Sequence, residues 1–414
     1  MGRWLPRIFI VTLALPTALS THVGDLLITP YRVLCIVASF LVAPRLFGGQ
    51  FRWCPADGFV ILYAFWGTIC FFNAGGVGGA QSAGSLVLES VVPYFMARIW
   101  VTTTPAIADL TAATTAVIAL LLPLAAFEAL AHVHIVQDLL GKHLPIGAQD
   151  IRMGMLRAMA TFDHPILFGT FCASALSLTW YCLPRKRWVN VPIILICVAL
   201  SASSAAYLAV ALQAGLIAWE YATAHYRYKW YLLGFLVFAA LLLADIFSHR
   251  TLAQIFVGSL TLNPQTGFIR LIQWDYGWQN IYQNMIFGLG NRDWVRPLWL
   301  GHSVDDFWLL EGMRFGILGF VASTGSILIA LLSVIRNAPR VTNARDEPTL
   351  KAWALTMVML LLVGFTVDFW TSMHAFLFLL LGSGMFLANR ANAEVSAAQI
   401  HVRRPLERRA RSGG

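Results

Sequence analysis

Residues 106–131, AIADLTAATTAVIALLLPLAAFEALA, decide the fold class. Apart from Asp109 and Glu128 near its ends the segment is uncharged, and it exceeds the roughly 20 apolar residues that an α-helix needs to cross a bilayer. The pattern recurs on both sides of it. Residues 8–22, 31–47, 58–73 and 83–101 precede it, and 165–183, 189–203, 204–221, 230–247, 308–335, 352–369 and 372–389 follow. Of the 414 residues, 58% are hydrophobic and 12% charged, and the mean hydropathy is +0.69. A soluble domain with a wetted surface does not sustain such values. The sequence therefore predicts an all-α, polytopic membrane helix bundle of about twelve transmembrane helices, a single integral-membrane domain over residues 1–414.

The formal charge of +9 is spread between the spans and massed in the tail from Arg403 to Arg411. That pattern fixes orientation and speaks against nucleic acid as a partner. With twelve spans, Arg3 and Arg7, Arg45 and Arg52, Arg185-Lys186-Arg187, Arg227 and Lys229, the run from Arg336 to Lys351 and the tail share one side. The expectation is a bacterial inner-membrane protein with both termini in the cytoplasm. Arg3 and Arg7 before an apolar run look like a signal peptide, but Pro16 and the lack of a small-residue cleavage motif favour an uncleaved first span. Keeping Arg187 and Arg227 on the same side requires two crossings between them, with the turn at Ser201-Ala202-Ser203-Ser204. The six cysteines lie in or beside apolar runs, so neither a disulfide nor a thiolate metal site is expected.

Two longer periplasmic loops remain, 132–164 and 248–306, and any chemistry belongs to them. The motifs of P-loop ATPases, HExxH metalloproteases and GxSxG hydrolases are absent from the chain. In the first loop, Leu139, Leu140, Leu144 and Ile146 suggest a short interfacial helix. Arg152 and Arg157 stand just before the span that opens at Pro165. Arginine presents a permanently charged planar fork that matches phosphate oxygens, so this pair suits a phosphate ligand or, equally, lipid head groups at the interface. His164 before Pro165 reads as the start of a helix, and His132-Val133-His134 has no further ligands to make a metal site. In the second loop His302 precedes a membrane span, with Asp305, Asp306 and Glu311 near enough in sequence to orient its imidazole. Trp274, Trp278, Trp294 and Trp299 suit sugar stacking or, more commonly, interfacial anchoring. Tyr31-Arg32 and Gly24-Asp25 read as interfacial pairs, and Glu89, Glu128, Asp245 and Asp368 as ionisable groups that need protein or water partners.

These residues resemble the O-antigen ligase and O-antigen polymerase superfamily, over nearly the whole chain in span number and loop placement. The similar elements are Arg157 to Pro165 opening a span, Arg270 followed by Trp274, Gly288-Leu289-Gly290, and Gly301-His302-Ser303 leading to Glu311-Gly312 and Gly316-Ile317-Leu318-Gly319. The resemblance implies an inverting, metal-independent glycosyltransferase without a cofactor, whose donor is an undecaprenyl-pyrophosphate-linked oligosaccharide. His302 and Arg270 correspond to the family's essential histidine and arginine. His302 is expected to act as general base, Arg270, Arg157 and Arg152 to hold the pyrophosphate, and Asp305, Asp306, Glu311 and Trp274 to support them. One departure stands out: the family often carries an arginine at the hairpin that here reads Ser203-Ser204-Ala205-Ala206, so either Arg157 or Arg152 supplies that charge or the activity is altered or lost. The acceptor is a growing glycan for a polymerase, the favoured reading, or lipid A core for a ligase, with membrane lipids, a flippase and a chain-length regulator as further partners. A transporter or flippase of lipid-linked sugar is the alternative from another class.

Overall fold

The computed structural model describes residues 2, 4–23, 26–49, 51–247, 264–337 and 346–388. Gly24-Asp25, the Asp245 side chain, the start of the second loop at 248–263 and the basic tail lie outside the described residues. The chain is a bundle of α-helices: α1 Leu5–Leu13, α2 Pro30–Phe47, α3 Pro55–Gly75, α4 Ala80–Trp100, α5 Thr104–Ala131, α6 Ile135–Leu139, α7 Pro165–Cys182, α8 Arg187–Ser201, α9 Ser204–Ala222, α10 Lys229–Phe247, α11 Pro264–Gln283, α12 Phe307–Asn337, α13 Asp346–Val363 and α14 Ser372–Ser383. Its only sheet among the described residues is two small antiparallel hairpins, β1 Thr21–Val23 with β2 Leu26–Ile28, and β3 Ile151–Arg152 with β4 Met155–Leu156.

Proline at the first position starts α2, α3 and α7, where its fixed φ is already helical and its missing N–H costs nothing. Among the described residues, six helical stretches are long and apolar enough to cross a membrane, one of them Pro55–Trp100, in which a short 3-10 turn joins α3 to α4. Three shorter apolar helices, α8, α10 and α14, accompany them. This is an all-α membrane protein. Large apolar side chains such as Phe40, Phe65, Leu120 and Phe235 point outward, as a lipid-facing surface requires.

The segment 8–22 departs from expectation. Its helix α1 stops at Leu13, and the chain passes Pro16 into a 3-10 turn and the β1–β2 hairpin. Nine residues rise only about 14 Å, roughly half the hydrocarbon thickness, so α1 alone does not reach across. The expected turn between Ser201 and Ser204 is present, with Ala202 in the left-handed conformation closing α8.

At the centre lies α14, every residue of which is buried, packed on α4. A Cβ on Gly382 would sit 2.2 Å from the Tyr94 carbonyl oxygen, so only glycine permits this approach. Helix α12 packs on α3 and is broken at Gly316, whose φ of 66° no other residue adopts without strain. The backbone groups freed there are taken up by the preceding loop. Ile317 N–H donates to Met285 O at 2.8 Å, Leu289 N–H to Met313 O at 2.7 Å and Gly290 N–H to Arg314 O at 2.9 Å. That exchange is what lets irregular backbone persist inside a bundle, and it gives the Gly288-Leu289-Gly290 and Gly316 motifs a structural reason.

Candidate functional site

The turn at Arg185-Lys186-Arg187 joins the far ends of α7 and α8, so the start of α7 and the Ala202 hairpin share the opposite end of the bundle. Loop 132–164 folds over that end. Its backbone is held by Glu128, whose buried Oε2 accepts from Met159 N–H at 3.0 Å and Ala160 N–H at 2.8 Å, and by Gln137, whose amide donates to the Ala160 and Phe162 carbonyls. Ala160 is thereby kept at a positive φ of 50°. Replacing Glu128 with alanine would leave two buried N–H groups without an acceptor, and is expected to destabilise the protein by about 3 kcal/mol. Thermal unfolding of the detergent-solubilised variant, several degrees below wild type, is the check. No interfacial helix forms over 139–146: α6 ends at Leu139, and Leu140, Leu144 and Ile146 are exposed in irregular chain.

Two arginines of this loop and one from the second loop come within electrostatic reach of one another here. Arg152 sits on the β3–β4 hairpin, and its Nη1 donates to Ala202 O at 2.9 Å, while Ala158 N–H donates to Leu200 O at 2.9 Å. Positive charge therefore stands at the very hairpin whose own sequence has none. Arg157 follows on the same loop and is buried beside Arg152, Asp150 and Asp305. Burial, and then the like charge of Arg152, bring its pKa down to about 10, which still leaves it charged at neutral pH. Arg270, buried on α11, faces Asp305, Asp306 and Arg152, and burial lowers its pKa too. The Nε atoms of Arg157 and Arg270 have no hydrogen-bond partner among the described residues. Buried charged donors without acceptors are costly. Both lie within electrostatic reach of Arg152 and Asp305, and their free N–H groups suit an anion.

His164 caps α7, its Nδ1 accepting from Ile166 N–H at 3.2 Å. Burial and the adjacent Arg157 hold its pKa down to about 4, so it is neutral and structural.

His302 does not meet the acids that its sequence neighbourhood suggested. Its imidazole is 83% exposed, with Arg296 Nη2 at 2.6 Å and Asp293 Oδ2 at 3.3 Å from Nδ1. The cause lies in how the loop folds on itself: Trp294 Nε1 donates to His302 O at 3.0 Å, and Arg296 Nε to Leu300 O at 3.0 Å. Arg296, foremost, keeps the Asp293 carboxylate below its usual range. Asp306 instead caps α12, accepting from Leu309 N–H at 2.8 Å, and burial raises its pKa to about 7. Trp274 stacks on Phe365 with ring centroids 6.3 Å apart. Asp305 turns towards Arg157 and Arg270. Gln273 pins this stretch, donating to Ser303 O at 2.9 Å and accepting from Asp305 N–H at 3.3 Å.

Glu311 faces a second feature, a polar cavity of about 340 Å³ between α2, α3, α4, α12 and the chain from Asp368 to His374. Arg32, Glu89, Arg314 and His374 also line it. Arg32 pairs with Glu89 at 2.8 Å, and Glu89 accepts from the Tyr31 hydroxyl at 2.5 Å. The cavity and the arginines adjoin. Asp305 lies within electrostatic reach of Asp368 on the cavity wall, and the His164 ring is 5.6 Å from that of Trp370 at its edge. Arg314 and His374 were not singled out from the sequence, although each is an ionisable residue inside an apolar run, the signal that marks such positions. Neither the protein-family models nor the curated proteins include a match to this chain.

Proposed function

We propose that this protein is a membrane glycosyltransferase of the bacterial inner membrane, polymerising the repeat units of a surface polysaccharide from an undecaprenyl-pyrophosphate-linked donor on the periplasmic side. The observation that carries this reading is that Arg157 and Arg270 are buried within electrostatic reach of Arg152, each with an Nε–H that has no partner among the described residues. A pyrophosphate suits such a site in charge and in geometry, since each guanidinium presents a fork to two oxygens. It is also a leaving group that needs no ATP. Fixed cations in a water-poor setting stabilise the charge that builds on it as the glycosidic bond breaks.

An acceptor hydroxyl attacks the anomeric carbon from the face opposite the pyrophosphate, its proton passes to a base, and the electron pair of the broken C–O bond leaves on the phosphate. Asp305 suits that role better than the solvent-facing His302, because it lies within electrostatic reach of Arg157 and Arg270 and of Asp368 on the cavity wall. Transfer to lipid A core uses the same donor and chemistry. The charged cavity within the bundle is the one observation that favours a transporter of lipid-linked sugar instead.

Analysis of the surface glycan and lipid-linked intermediates in a deletion strain separates the three. Single capped repeats, restored to polymer by the wild-type gene, are the expected result. Polymer stranded on undecaprenyl pyrophosphate indicates a ligase. Repeats retained on the cytoplasmic face overturn the transferase reading in favour of transport.

A further inference from the structure

The cavity has its own chemistry, distinct from that of the arginine cluster. It holds about 340 Å³, within the size range of small-molecule sites. It carries two arginines and three carboxylates: Arg32 is paired with Glu89, and Arg314 lies within electrostatic reach of both Glu311 and Asp368. No cationic excess remains to select an anion, and no three His, Cys, Asp or Glu side chains among the described residues converge as metal ligands. The rest of the wall mixes short donors and acceptors, Gln81, Ser82, Ser85 and Asn291, with the rings of Trp370 and Phe307. Glu311 is 3% exposed, and its Oε2 has no hydrogen-bond partner among the described residues. The Tyr63 and Ser323 hydroxyls lie near its carboxylate, which has lone pairs left to accept from a further donor. Carboxylates and amides to take up hydroxyls, with aromatic rings beside them, suit a neutral polyhydroxylated ligand better than an ion or a lipid tail.

We propose that this cavity is a saccharide-binding site that seats the acceptor end of a glycan next to the arginine cluster. Its role as the acceptor site rests on the transferase reading above, whereas its affinity for saccharide does not. Glu311 and Asp368 accept from sugar hydroxyls, and Trp370 stands between the cavity and the phosphate site, where the two substrates meet.

The test uses the full-length protein in lipid nanodiscs and, as probe, the free oligosaccharide released by mild acid from the lipid-linked repeats of the deletion strain. Saturation-transfer NMR is expected to detect binding to wild type, loss of binding in Ser85→Trp, which fills the cavity, and weakening by about tenfold in Gln81→Ala, which removes one polar partner without adding bulk. Arg157→Ala, outside the cavity, is expected to bind the sugar as wild type does. Retained binding of undecaprenyl pyrophosphate by Ser85→Trp shows that this variant is folded. The proposal is overturned if wild type gives no signal, or if folded Ser85→Trp and Gln81→Ala both bind like wild type. Failure of the transferase reading looks different: saccharide binding that depends on the cavity, together with unaltered glycan in the deletion strain, removes the acceptor role and leaves the site.

Discussion

Arg270→Ala is expected to lower glycan transfer by about a hundred- to a thousandfold, the usual consequence of removing one preorganised group that stabilises a developing anion. Arg270→Lys should recover only part of the loss, because an ammonium supplies charge without the two-pronged fork. The effect on stability should run the other way. Arg270 is buried, its Nε is unpaired, and its charge is disfavoured by that burial. Removing it relieves a desolvation cost that offsets the loss of its attraction to Asp305 and Asp306, so the melting temperature of Arg270→Ala should not fall with activity. A structural arginine would show the reverse, with activity and melting temperature falling together. Transfer assayed on proteoliposomes beside thermal unfolding of the same preparation distinguishes the two, and a destabilised Arg270→Ala would remove the main support for a pyrophosphate clamp. Arg157→Ala should behave alike, since its guanidinium is likewise a buried charge whose Nε–H has no acceptor among the described residues.

The membrane bundle was legible because long uncharged runs such as 106–131 have no other stable home. The arginine cluster was legible in part. Its residue types and their closeness to the membrane suggested phosphate, and folding brings Arg152 to the Ala202 hairpin and Arg270 within reach of Asp305. What failed was inference from nearness along the chain. Asp305 is three positions from His302, yet Gln273 turns one inward while Trp294 and Arg296 turn the other out. Such contacts follow from how the loop packs, and no local pattern encodes them. The same holds for the cavity, whose walls come from six parts of the chain, each contributing one or a few polar residues. Segment 8–22 failed for a different reason: its apolar content reads as a span, but Pro16 ends the helix early.

Asp305→Asn should lower transfer by about a hundred- to ten-thousandfold, the range for loss of a general base. The amide keeps the size of the side chain and cannot take up a proton. Binding of undecaprenyl pyrophosphate should be retained or strengthened, since the change removes a negative charge from beside Arg157 and Arg270. His302→Ala should alter transfer by no more than about fivefold, because its imidazole is solvent-exposed and its contacts are with Arg296 and Asp293 of its own loop. The two variants thus separate a base chosen by sequence pattern from one chosen by position. Abolished transfer in His302→Ala with near-normal transfer in Asp305→Asn would return the role to His302. It would also require loop 293–303 to give up the Arg296 and Asp293 contacts and fold over the arginines when substrate binds. That rearrangement makes its own demand: Asp293→Asn, which weakens the restraint on the imidazole, would then raise activity, whereas with Asp305 as base it should leave transfer unchanged.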